Sequence, residues 1–181
     1  MHAWDDNGWA SGLVEPLQAD RSFALLAPEP GSRIDEGRWA HLARTSVRAV
    51  LELSPAKRYP SATLPLVDAV LVRMRHLDRL EEGRPPRDVE VVTVPLERAP
   101  AVRALALRGA EAIGGAGFDV LVGRGQRLWQ VAARDEDDVE ALAVVAVLAA
   151  ALLAPVVPPG GGTIYGLKGA RTRLEARGWR T

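Results

Sequence analysis

An uninterrupted apolar run from Ala141 to Ala154 constrains the fold of this chain more than any other feature. As a helix, its fourteen residues would span about 21 Å, which is shorter than the hydrocarbon core of a bilayer at about 30 Å. The preceding segment, RDEDDVE, is acidic, and no cluster of Lys or Arg flanks either end of the run. We therefore expect a nearly fully buried, Ala-rich helix over about 136–154 and no membrane partner.

The acidic residues before this run fit the start of a helix. Asp135 is expected to cap it, and the next three carboxylates then lie in a first turn where the helix dipole favours negative charge. A helix that is apolar all the way round must be covered on every side. Two covers are open: the rest of its own domain, or a second copy of the chain in a homodimer, which the small alanines would allow to approach closely.

The composition fits a folded domain and excludes several kinds of chemistry. The 181 residues are 48% hydrophobic and 25% charged, and the formal net charge is zero. A balanced charge gives no general attraction to nucleic acid or to an anionic membrane. Because the chain has no cysteine, disulfides, thiolate nucleophiles and Cys-type metal sites are excluded. We expect a cytoplasmic protein, and the excess of Arg over Lys is typical of a GC-rich bacterial genome.

The chain divides into three segments by composition. Residues 1–20 form an N-terminal arm of turn-like sequence, residues 21–157 a single α+β domain, and residues 158–181 a Gly-rich connector with a basic C-terminal helix. Tryptophans lie in both terminal segments, and because exposed tryptophan is costly they are expected to pack on the chain's own domain or on a partner, with the own domain favoured for the N-terminal arm. The candidate partner contacts are Trp4, Trp9 and Trp179.

Hydrophobic periodicity predicts an α+β fold in which helices pack on a mixed sheet of about four strands. The expected strands are 22–27, 89–94, 118–122 and 127–133, and the turn GRGQ joins the last two as a hairpin. One helix follows a capping-box-like S-x-x-D sequence formed by Ser32 and Asp35, and it places Trp39 on its apolar face. A second helix begins at Pro100, which suits a first turn.

Residues 66–80 have two interpretations. As a helix, this segment places Val70, Met74 and Leu77 on one stripe, and we favour that reading. As a strand, the sequence VLVRMRH alternates between apolar and basic residues. A strand here would give the order βαββαβ, the arrangement of ferredoxin-like domains, and this is the alternative fold.

The glycine tract 160–170 does not fit a phosphate-binding loop. Leu167 stands where that motif needs Lys, Lys168 comes one place late, and Gly169 replaces the hydroxyl residue. The tail that follows is basic, and its cations either complement the dipole of a helix or contact nucleic acid or another anion. The candidate anion contacts are Lys168, Arg171, Arg173, Arg177 and Arg180.

Candidate chemistry is sparse. His76, with Asp78, Glu81 and Glu82 nearby, is the only cluster in the sequence that could hold a metal or shuttle a proton. On a helix, His76 and Asp78 would point away from each other, so we expect no metal and no cofactor. The chain has no G-x-S-x-G elbow, and no catalytic residue can be assigned.

These observations favour a non-catalytic intracellular module for binding, regulation or accessory work. It is expected to act through protein–protein contacts, with self-association as one form of contact. One alternative is a nucleic-acid-binding accessory protein that uses the basic tail. A second alternative is an enzyme whose site is not visible as a motif.

Overall fold

The computed structural model describes residues 3–4, 10–11, 14–27, 34–56, 68–79, 86–113 and 127–181. Within these ranges the chain is α+β, as expected. The strands are β1 (Ala3–Trp4), β2 (Ala10–Ser11), β3 (Ser22–Ala27), β4 (Ala49–Pro55), β5 (Ala69–His76), β6 (Asp88–Pro95), β7 (Arg127–Ala132) and β8 (Val156–Val157). The helices are α1 (Glu36–Val47), α2 (Pro100–Ile113), α3 (Val139–Leu152) and α4 (Gly169–Ala176).

The main sheet differs from the expected one in size and direction. It has six strands in the order β4-β5-β6-β7-β3-β8, where about four were predicted, and every neighbouring pair is antiparallel, where a mixed sheet was predicted. Among the described elements, three strands lie between α1 and α2, so the ferredoxin-like order βαββαβ is not confirmed either. The strand predicted over 118–122 lies outside the described residues, whereas its hairpin partner is present as β7.

The favoured helix over residues 66–80 was wrong, because its described part is the strand β5. This strand pairs with β4 over Val70–His76 and with β6 over Ala69–Arg73, and alternate side chains from Val70 to Met74 point into the core. The helical stripe and the alternating pattern share Val70 and Met74, so periodicity alone could not separate them. Pairing with two neighbouring strands decides the conformation.

Helices cover both faces of the sheet. On one face, α1, α3 and α4 bury side chains against the strands, including the edge-to-face pair Trp39 and Trp129, whose ring centroids are 5.7 Å apart. On the other face, α2 packs through Val102, Ala106 and Ala110. The strands separate the two layers because successive side chains of a strand point to opposite faces.

Helix α3 is the Ala-rich helix predicted from the apolar run, and its own chain covers it. Every residue from Ala141 to Ala149 is buried, packed against the sheet, α1 and α4. Asp138, and not the expected Asp135, caps its first turn, with the Asp138 side chain accepting a hydrogen bond from the backbone N–H of Ala141. None of the described helices has the length and apolar character needed to cross a bilayer.

The C-terminal segment joins the same core. Ala170 and Leu174 of α4 are fully buried against α3 and the neighbouring elements. Gly169, at the first position of α4, faces the ring of Tyr165, and the backbone of Tyr165 is held by a bridge to Val156. The connector and the tail are therefore packed parts of the fold.

Replacing Gly169 with alanine is expected to lower the free energy of unfolding by about 1–3 kcal/mol. The added Cβ would lie 2.5 Å from Cδ2 of Tyr165, and the bridge to Val156 limits how far this residue can shift. Gly166→Ala is the matched control, because a Cβ at Gly166 meets nothing within 4 Å. Urea unfolding followed by far-UV circular dichroism compares them, and equal stability of the two variants would contradict the packing argument.

Candidate functional site

Two adjoining depressions lie where β5 ends and β6 begins. The first, which we name the charged cleft, has a volume of about 700 Å³ and is also walled by the segment before α3 and by the C-terminal tail. Its basic lining residues are Arg75, Arg87, Arg134 and Arg177. Its acidic lining residues are Asp135, Asp137, Asp138 and Glu140. The cleft therefore carries both signs of charge in equal number.

Asp138 is the most constrained charge in the cleft. Its carboxylate accepts hydrogen bonds from the guanidinium of Arg87 at 2.6 Å and from the backbone N–H of Arg134 at 2.9 Å, besides capping α3. Burial by itself would raise the pKa of Asp138, but these hydrogen bonds and the charge of Arg87 outweigh it and lower the pKa below its ordinary value of 3.8. The folded structure thus stabilises the ionised form of the Asp138 carboxyl group.

Other charges of the cleft are also paired within the chain. Arg87 contacts Glu140 at 3.3 Å, and Arg177 forms an ion pair with Asp137. Within the described part of the chain, no hydrogen bond or ion pair neutralises the exposed guanidinium of Arg134. Arg134 is therefore the cation of this cleft that can meet a ligand without breaking an existing ion pair to a described residue.

The second depression, which we name the arginine groove, has a volume of about 680 Å³ and shares Arg87 and Arg134 with the charged cleft. Arg21 lies beside Arg134, since the carbonyl of Arg21 accepts a hydrogen bond from the N–H of Ala133 at 3.0 Å. The Arg21 guanidinium likewise has no partner among the described residues. The apolar lining residues are Pro16, Leu17, Leu71, Val89, Ala132 and Ala133.

Gln130 holds one wall of the arginine groove in place. Its side-chain oxygen accepts a hydrogen bond from the N–H of Leu17 at 2.8 Å, and its amide nitrogen donates to the carbonyl of Leu17 at 2.9 Å and to Oγ of Ser22 at 3.1 Å. Gln130 is fully buried. Because a buried amide is stable only when its polar atoms are paired, this network fixes the segment around Leu17 against the sheet.

The predicted anion contacts of the tail do not converge on one surface. Arg171 pairs with Glu175 at 3.3 Å, whereas Arg173 lies over the ring of Tyr165, 4.5 Å from its centroid. Two residues apart on a helix, Arg171 and Arg173 point in different directions. Arg180 lies 4.0 Å from Asp78, and Lys168 precedes the first turn of α4. Intramolecular contacts therefore engage four of these five cations.

The three predicted partner tryptophans have separate positions. Trp179 is 8% exposed, and its indole N–H donates a hydrogen bond to the carbonyl of Val47 at 2.6 Å. Trp4 belongs to the short strand β1, which pairs with β2. Trp9 lies outside the described residues. Of the three, Trp179 thus has a defined packing role inside its own chain.

His76 and Asp78 do meet, although a helical spacing would have separated them. The strand β5 ends at His76 and passes into a short 3-10 turn, which brings the Asp78 carboxylate within 3.8 Å of Nδ1 of His76. Glu81 and Glu82 lie outside the described residues. Among the residues that are described, no group of three or more His, Asp or Glu side chains is placed to hold a metal ion.

A displaced pKa at two described residues has a structural cause. Asp138 caps and braces α3, as shown above. Burial raises the pKa of Tyr165 far above its usual range, against the opposing charge of Arg173, and no described atom forms a hydrogen bond with its buried hydroxyl. Both groups are explained by packing around α3 and α4, so neither indicates an activated catalytic residue.

No known protein family, curated protein or solved structure matches this chain.

Three residues of the candidate site, Arg21, Arg134 and Gln130, were not predicted from the sequence. Gln130 carried a signal, because it is the polar residue inside the apolar strand sequence LWQVA. Arg21 and Arg134 carried none, since they are two of many arginines and come together only through the pairing of β3 with β7.

Proposed function

We propose that this chain is a non-catalytic binding module that acts through protein–protein contacts, with the arginine groove as its contact surface. The single observation that supports this most is the pair of exposed guanidiniums, Arg21 and Arg134, beside an apolar wall. Arg is enriched in protein interfaces, where its planar group forms bidentate bonds with carboxylates. A cytoplasmic location stays a prediction.

The charge of the arginine groove favours an acidic partner. Arg87 already neutralises Asp138, and Asp88 is paired with Arg73 at 3.0 Å, so neither adds a free charge. Glu90 also lines the groove and interacts elsewhere in the chain. The cations left for a ligand are Arg21 and Arg134. We therefore propose a polypeptide segment in which carboxylates stand beside apolar side chains.

Apolar contact would come from the wall that Gln130 fixes. Leu17 and Pro16 face the groove together with Leu71 of β5. The three hydrogen bonds of Gln130 fix the segment around Leu17 before any partner binds. Binding would therefore not pay the entropy cost of ordering this segment. The rigid apolar wall can select the apolar side chains of a partner, and the two adjacent cations can select its negative charge.

The alternatives have less support. Nucleic-acid binding through the tail would require Arg171, Arg177 and Arg180 to leave their ion pairs with Glu175, Asp137 and Asp78. Self-association was one of two possible covers for α3, and α3 is covered within one chain. An enzyme would need an activated group, and the displaced pKa values of Asp138 and Tyr165 have structural causes.

A random peptide library displayed on phage tests the proposal. The wild-type chain is expected to enrich peptides in which Asp or Glu neighbours Leu, Ile or Phe. The double variant Arg21→Glu, Arg134→Glu is expected to bind the enriched peptides at least about tenfold more weakly, because charge-assisted hydrogen bonds contribute about 1.5–3 kcal/mol each. Fluorescence anisotropy with the enriched peptides at low and high salt measures this loss.

Arg171→Glu is the matched control, since it removes an exposed arginine far along the chain from the groove. This variant should keep peptide binding. The proposal fails if the wild type enriches nothing beyond the double variant, or if the enriched peptides are basic. Binding of a DNA duplex that Arg171→Glu abolishes would instead support the nucleic-acid alternative.

A further inference from the structure

The last five residues, 177–181, form a strap across one end of the charged cleft, and we name them the C-terminal strap. Gly178, with a φ of 89°, turns the chain out of α4 in a backbone conformation that favours glycine. Trp179 then inserts between α1 and β5, and its ring meets the ring of His76 edge-on at 4.9 Å and 82°. Two contacts therefore hold Trp179 of the strap: its hydrogen bond to Val47 and its ring contact with His76.

His76 ties the strap to the body of the fold only in its neutral form. Nε2 donates a hydrogen bond to the carbonyl of Arg180 at 2.7 Å, which places the ring proton on that nitrogen. Nδ1 accepts a hydrogen bond from the backbone N–H of Asp78 at 3.0 Å. A second proton, on Nδ1, would face that N–H donor, so the two hydrogen bonds cannot both persist in an imidazolium.

The charges around His76 do not compensate for a buried imidazolium. Among the described residues, the carboxylate recorded near the ring is that of Asp78, 3.8 Å from Nδ1, and Arg48 at 3.3 Å and Arg180 at 4.0 Å already share it. The described part of the charged cleft adds arginines and carboxylates in equal number to this end of the fold. His76 is 6% exposed, and a charged ring there would lose most of its hydration.

We propose that His76 is a proton-operated latch for the C-terminal strap. Near neutral pH the imidazole accepts from Asp78 and donates to Arg180, and the strap lies closed. When His76 takes up a proton, the bond from Asp78 is lost, the ring moves towards water, and Trp179 leaves its seat. Opening at Gly178 would widen the charged cleft and uncover Met74 and His76, which line it beside Trp179. The device would couple access to the cleft with the acidity of the surroundings.

Hydrogen exchange of the Trp179 indole N–H, followed by NMR on the full chain, tests the latch. We expect its protection factor to fall about tenfold from about pH 7.5 to about pH 5.5, a range that brackets ordinary histidine titration. The indole of Trp129 is fully buried in the core and serves as the internal reference, whose protection should not change. Trp179→Phe assigns the resonance.

Two histidine variants separate the latch from general acid effects. His76→Gln keeps a side-chain donor but cannot take up a proton in this range, so its Trp179 protection should not depend on pH. His41→Gln removes an exposed histidine of α1 and should behave as the wild type. The proposal is overturned if wild-type protection is equal at both pH values, or if Trp129 loses protection in parallel. If His76→Gln does not fold, the pH dependence of Trp179 protection relative to Trp129, measured in the wild type and in His41→Gln, still tests the proposal.

Discussion

Replacing Asp138 with alanine is expected to lower the free energy of unfolding by about 3 kcal/mol, the sum of a lost helix cap and a broken, partly buried ion pair. Asp138 is 6% exposed at its side chain and holds Arg87, the N–H of Arg134 and the first turn of α3 together. Removal leaves the guanidinium of Arg87 with Glu140 alone. Urea unfolding monitored by far-UV circular dichroism measures the loss.

Two matched variants divide this effect into its parts. Asp138→Asn retains an oxygen that can cap α3 but removes the charge, so an intermediate loss of about 1–2 kcal/mol is expected. Asp137→Ala removes the neighbouring carboxylate, which is 52% exposed and pairs with Arg177 at the surface, and should cost less than about 1 kcal/mol. A loss in Asp137→Ala equal to that in Asp138→Ala would contradict the central position assigned to Asp138.

The same residue makes stability depend on pH in a defined direction. Because the pKa of Asp138 is lower in the folded chain than its ordinary value of 3.8, the unfolded chain takes up the proton first as the pH falls. The stabilisation from the ionised carboxylate is therefore complete above the ordinary value and is lost as the pH falls through the lowered one. The stability difference between wild type and Asp138→Asn should narrow over that acidic range.

Replacing Trp179 with alanine is expected to cost about 3–5 kcal/mol, the range for removing a large buried aromatic side chain. The indole fills the space between α1 and β5, meets the ring of His76, and donates to the carbonyl of Val47. Without it, that carbonyl loses its donor and the end of the core opens to water. Thermal and urea unfolding of the purified variant measure the change.

Trp179→Phe is the control for shape. The smaller ring keeps much of the apolar contact and loses the hydrogen bond to Val47, so a loss of about 1–2 kcal/mol is expected. Leu167→Ala, at an exposed position before α4, should be close to neutral. If Trp179→Ala were as stable as Leu167→Ala, Trp179 would have to be re-examined as an exposed partner contact, its role predicted from sequence.

The parts of the fold that the sequence predicted correctly are those where one local signal dominates. The run from Ala141 to Ala154 has no polar face and could only be a covered helix, and the β-branched sequence VEVVTV could only be a strand. Pro100 begins α2 as its chemistry requires, and Asp35 of the predicted capping box is itself the residue that caps α1, whereas Ser32 lies outside the described residues. These signals act over one or two turns, and in these elements the tertiary contacts agree with the local preference.

The errors fall where distant residues decide. The pattern around Val70 and Met74 fits helix and strand alike, and the neighbours β4 and β6 resolve it. Asp138 replaces Asp135 as the cap because Arg87, far away in sequence, fixes its carboxylate. The arginine groove needs the register of β3 with β7 before Arg21 and Arg134 become neighbours. A single sequence holds no local record of such pairings.

The covering of α3 by α4 also bears on how the chain can be made. Because α4 follows α3 in the sequence, a ribosome makes α3 first. Until α4 has emerged and docked, one side of a helix with no polar face is uncovered, and such a surface is prone to aggregate or to recruit chaperones. A nascent chain stalled before Gly169 would expose that surface, whereas a chain that includes Gly169–Ala176 could cover it. The docking of α4, and not the pairing of the strands, would therefore be the step of synthesis that ends this exposure.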